Sequence, residues 1–172
     1  MESVAAIGVL AVGATGVVAM QKAALIGNTN ARNLGTANAI AGTWAERLRA
    51  DGMLWNSPNG TPDLTDTRWL QAVNTAPGVW LIPTEFPGIG SPDADVLGAD
   101  LFTNEAPSAF CTHIRLTQMY PTMIRAEIRV FWEKAGMPLP VNCAVGVDTV
   151  TNANGRYGYV YLTTGILQTS AM

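Results

Sequence analysis

From Ser3 to Met20 the chain runs for 18 residues without a charged side chain or a proline, and this run constrains the fold more than any other feature. Glu2 stands before it, and the next charged residue is Lys22. Such a length is at the lower end of what crosses a bilayer as a helix. A secretory signal would need a basic segment ahead of a shorter apolar core, whereas here an acid leads. A buried core helix is the alternative, but core helices usually keep one polar stripe. The run therefore reads as the membrane-spanning half of a helix, assigned to residues 1–21.

Nothing stops that helix soon after the run, because the first proline is Pro58. Beyond Lys22 the pattern turns amphipathic, with Ala37, Ile40, Ala41, Trp44 and Leu48 at three- and four-residue steps. Asn30, Asn33, Thr36, Glu46, Arg47 and Arg49 fall on other faces, and Asp51-Gly52 supplies a stop. Residues 22–53 thus form an amphipathic second half with one face against a small domain. A helix over this whole span would be roughly 78 Å long at 1.5 Å per residue.

The charge content excludes several functions. Charged residues are 13% of the chain, against a usual share of about a quarter, and the net charge of −3 offers no basic footprint for nucleic acid. One His and two Cys leave little for a His/Cys metal centre. No metal, cofactor or catalytic group is expected, and the chain does not read as an enzyme. With 48% apolar residues and five tryptophans, it is not a disordered chain either.

Residues 54–110 hold seven of the ten prolines and read as a connecting region, with a turn at Asn59-Gly60 and a short helix near Asp66 to Val73. Trp55, Trp69 and Trp80 are its expected anchors to the core. Residues 111–172 switch to period two. Ile124, Ala126, Ile128, Val130 and Trp132 alternate with Arg125, Glu127, Arg129, Phe131 and Glu133, a half-buried strand. Thr112 to Tyr120 reads as its hairpin partner, and Arg156 to Thr164 as a third strand with Tyr157, Tyr159 and Tyr161 on one face. Asp93, Asp95 and Asp100 loosely imitate a calcium loop but lack its closing Glu, so a solvated acidic loop is the expectation. His113 is two residues from Cys111 on the same strand face, and is taken as a strand residue rather than a nucleophile's partner.

The head Met1-Glu2-Ser3-Val4-Ala5-Ala6-Ile7-Gly8-Val9-Leu10, continuing to Ala19-Met20-Gln21, resembles the N-terminal helix of type IV pilins, and is most similar to minor pilins of the PilV type. Ala45-Glu46-Arg47-Leu48-Arg49-Ala50 and Glu127-Ile128-Arg129-Val130-Phe131-Trp132 are also similar. The resemblance is specific over about the first 50 residues; the remainder agrees in architecture, including a late Cys pair. The I-type pseudopilins of type II secretion share the same head.

The resemblance implies an α+β fold with a long N-terminal helix packed on a small antiparallel sheet. It implies a structural subunit that joins other minor pilins and the major pilin in a priming or tip complex, beneath a possible tip adhesin. Glu2 would engage a neighbour's terminal amine, and Ile7, Leu10, Ile40, Trp44 and Leu48 would carry helix packing. Its processed members begin with a methylated Phe after a basic leader, so this sequence would start at the fourth mature position. That leader bears on topology. Lys22 and Arg32 after the run favour a cytoplasmic C-terminal part; Cys111 and Cys143 favour an oxidising compartment. A basic segment upstream reconciles them, placing the chain in the bacterial inner membrane, with its C-terminal domain periplasmic, and then in the pilus. Cys111 and Cys143 would there close a loop of about 33 residues, worth roughly 3–4 kcal/mol, with two separate buried thiols as the alternative. A membrane-anchored periplasmic binding domain that does not assemble is the reading of a different class.

Overall fold

The computed structural model describes residues 2–55, 63–102, 107–134, 136–140, 143, 145–153 and 155–168, with the side chains of residues 2–13 outside the description. The chain is α+β. Helix α1 spans Glu2–Gly52 and is followed by a 3₁₀ turn at Leu70–Asn74. The strands are β1 (Trp80–Leu81), β2 (Asp93–Ala94), β3 (Phe110–Tyr120), β4 (Met123–Glu133) and β5 (Tyr157–Leu167), with a short helix α2 at Val147–Asn152 before β5. Contacts divide the chain into two units, Met1–Leu34 and Gly35–Met172.

The second unit is a helix laid on a sheet. The strands run β1-β3-β4-β5, all antiparallel, and β2 also pairs with β3. The period-two alternation of β4 sets its inner face: Ile124, Ala126, Ile128, Val130 and Trp132 are all buried. They share one core with Ala37, Ile40, Ala41, Trp44, Ala45 and Leu48 of α1 and with Ile114 and Leu116 of β3. Burying side chains of this size stabilises by about 1.5–3 kcal/mol each, so the predicted amphipathic stripe is what fixes the helix on the sheet. The β3–β4 hairpin closes at Tyr120 and Met123, around the expected Tyr120-Pro121.

The proline-rich region is more structured than its composition suggests. Although only two residues long each, β1 and β2 both pair with β3. Trp55 and Trp69 are buried in the core as expected, with Trp69 in edge contact with Trp44 at 5.2 Å and with Phe86 at 5.4 Å. Trp80 instead lies on the outer sheet face, opposite Arg115 in the register. The expected short helix is a 3₁₀ turn, and the buried carboxylate of Asp51 holds its start by accepting from the N–H groups of Arg68, Trp69 and Leu70 at 2.7–3.0 Å. Asp51, in the last turn of α1, therefore also caps the next element.

Candidate functional site

Two features of this fold bear on function: the surface of α1, and the outer face of the sheet with its disulfide. Within α1, Ile40, Trp44 and Leu48 are buried against the chain's own sheet. Every side chain from 14 to 32 is exposed. These include Met20 at 76%, Leu25 at 69% and Val18 at 64% exposure, with Val17 and Ile26 beside them in sequence. Glu2, Ile7 and Leu10 lie outside the residues whose side chains are described. Among the described residues no helix is long and apolar enough to cross a membrane, while positions 3–13 of the uncharged run fall outside the described side chains.

Cys111 and Cys143 form a disulfide, with their Cα atoms 5.5 Å apart. Cys111 is on β3 opposite Phe131 of β4, so the bond ties Cys143 down over the sheet's outer face. There Cys111, Phe131, Leu139, Cys143, Val145, Val150 and Tyr157 make a second, smaller core. Cys143 has a positive φ of 45°, a conformation that is uncommon outside glycine. Asp93 holds it, since its Oδ1 accepts from the Cys143 N–H at 2.8 Å and from the Ser108 hydroxyl. Burial raises the Asp93 pKa above its ordinary value, against the lowering effect of those two donors, and Glu85 adds a further push upward.

The acidic loop is thus less solvated than expected. Asp93 is buried, Asp100 pairs with Arg47 of α1, and Asp95 accepts from the N–H groups of Leu97 and Ala99 within its own turn. Its three carboxylates turn to different partners rather than to one centre. Asp93, Cys111 and Cys143 do bring ligand-type atoms within 4.8 Å of one another, but both sulfurs are spent in the disulfide.

Further along the outer face, His113 is fully buried. Arg129 Nη2 donates to its Nδ1 at 2.8 Å. A guanidinium can only donate, so Nδ1 is the acceptor and the proton sits on Nε2. Burial, reinforced by the Arg129 charge, pushes the His113 pKa down to about 3. Arg129 is itself buried; it donates to the Thr151 hydroxyl at 3.1 Å and stacks on the Trp80 ring at 4.7 Å. The other face of this patch is an ion pair, Arg115 donating to Glu127 at 2.7 and 2.8 Å, with Arg115 also 4.8 Å from the Trp80 centroid. His113 lies close to Cys111 in sequence, but with Cys111 bonded and His113 held neutral the two make no nucleophilic pair.

Two clefts open nearby, one of about 500 Å³ beside Pro83, Glu85, Pro92 and Asp93, and one of about 300 Å³ between Leu139, Val145, Glu133, Arg156 and Tyr157. Sequence reasoning missed the roles of Asp51, Asp93 and Arg129, each of which acts on a partner 16 or more residues away. No local spacing could have revealed them. No family model, curated protein or solved structure matches the chain.

Proposed function

We propose that the chain is a pilin-like structural subunit that assembles through its N-terminal helix, by resemblance a minor pilin of a type IV pilus. The supporting observation is the division of labour along α1. Its residues 37–48 bury a stripe in the chain's own core, while residues 14–32 leave Val17, Val18, Met20, Leu25 and Ile26 exposed. An exposed apolar helix needs lipid or other helices to cover it. The two can be exchanged without freeing backbone groups, because a helix satisfies them internally. Association of subunits, rather than catalysis, is the chemistry this provides, with the inner membrane as the starting environment and other pilins as the partners.

In this reading Glu2 supplies the counter-charge for a neighbouring subunit's amine, which would otherwise cost several kcal/mol in an apolar bundle. Glu2 is the only acid before Glu46, so no nearby residue substitutes. Glu2→Ala should leave the membrane fraction unchanged and deplete the chain from sheared surface fibres. Normal recovery in the sheared fraction, with normal fibre number, would remove Glu2 from assembly and leave an anchored, non-assembling domain as the better reading.

A further inference from the structure

The two edges of the sheet are built differently. At the β1/β2 edge the strands are two residues long, and the segment around them carries Pro77, Pro83, Pro87 and Pro92. Short strands and prolines are the usual means of stopping a sheet from pairing with another chain. The opposite edge is β5, eleven residues from Tyr157 to Leu167 with no Lys, Arg, Asp, Glu or Pro. It pairs with β4 residue for residue over its whole length, so no bulge turns it aside. Among the described residues the backbone hydrogen bonds of β5 run to β4 alone. Toward its end α1 draws near, since Arg49 donates to the Thr164 hydroxyl at 2.9 Å and Gly52 packs on Ile166. The open stretch is Tyr157–Thr163.

We infer that β5 is a pairing edge for a second copy of the chain, joined β5 to β5 in antiparallel register about a two-fold axis. A head-to-tail pairing would set β5 against the two-residue β1 and leave most of the edge unused. Only β5 against β5 matches length to length, and it closes as a dimer instead of propagating. Charge permits it as well, because with no charged residue on the strand no like charges come opposite one another. Around a two-fold near Val160, Gly158 would face Leu162 of the copy on the inner side, and Tyr159 would face Tyr161 on the outer, where the two are 43% and 57% exposed. The inference does not rest on the helix, and either can fail without the other.

The test is amide hydrogen exchange on the full chain in detergent micelles, read at high and low protein concentration. Amides of Tyr157–Thr163 that point away from β4 should exchange about tenfold more slowly in the concentrated sample. The double variant Tyr159→Lys/Thr163→Lys places charges on exposed outer positions and should abolish that slowing while β3 and β4 amides stay protected. Should the double variant lose that protection, Thr163→Lys alone serves the same purpose. Equal exchange at both concentrations would overturn the inference. So would slowing that survives the lysines, since association would then run through the helix or another surface.

Discussion

At the scale of single residues, three buried polar side chains govern the domain. Asp51 accepts from three backbone N–H groups at the start of the 3₁₀ turn, and leaving such donors unmet costs about 1–3 kcal/mol each. Asp51→Ala should therefore lower unfolding stability by about 3 kcal/mol or more in urea titration, whereas Asp51→Asn, which keeps one acceptor oxygen, should lose less. His113 gives a pH signature. Its pKa in the folded chain is about 3, against about 6.5 when unfolded, so the unfolded chain binds the extra proton between those values. Stability is full above about pH 6.5 and falls as the pH drops toward 3. The His113 share of that loss comes to about 3 kcal/mol between pH 7 and pH 4, and His113→Gln should flatten it. Asp93 has the opposite sign: its raised pKa means that stability declines as the pH rises through it. Asp93→Asn, which keeps the acceptor for Ser108 and Cys143, should hold or raise stability at pH 7, where Asp93→Ala should lower it.

At the scale of elements, the sheet depends on one close approach. Gly158 stands opposite Trp132 in the β4–β5 register, and a Cβ there would run into the indole. Gly158→Ala should cost about 1–3 kcal/mol as overpacking, seen as a lower urea midpoint with an unchanged slope. The disulfide acts on the other side of the same strands. Cutting it releases a 32-residue separation worth about 3–4 kcal/mol, and Cys111→Ser/Cys143→Ser should speed amide exchange in α2 before it affects β3 and β4. These elements differ in how far sequence alone reveals them. The β4 alternation and the α1 stripe were legible because each repeats a local period against a single buried layer. The outer face was not: alternation assigns Arg129 and Phe131 to a polar side, and they are buried only because the disulfide-tied loop and α2 come back over them. Two-residue strands such as β1 and β2 are too short to show any period at all.

At the scale of the whole chain, the boundary between the two uses of α1 can be located and tested. Side chains from 14 to 32 are exposed, and among the described residues the first fully buried side chain is Ala37. The compact unit begins at Gly35. Removing residues 1–32 discards no side chain described as buried and leaves Asn33 at the new start, a residue type that caps helix N-termini well. That truncated chain should be monodisperse without detergent at low concentration, and should melt within a few degrees of the full chain in micelles. Cutting eight residues further, through Ile40, removes Ala37 and Ile40 from the core and orphans a fresh set of helix N–H groups above Ala41. Losing the Ile40 side chain alone should cost about 2–5 kcal/mol, so this second truncation should melt at least 10 °C lower or fail to fold. Thermal melts followed by tryptophan fluorescence compare the two directly, since Trp44 and Trp69 lie in that core. If the shorter cut already destabilised the domain as much as the longer one, residues 14–32 would be part of its fold, and the proposal that they are kept free for other subunits would lose its support.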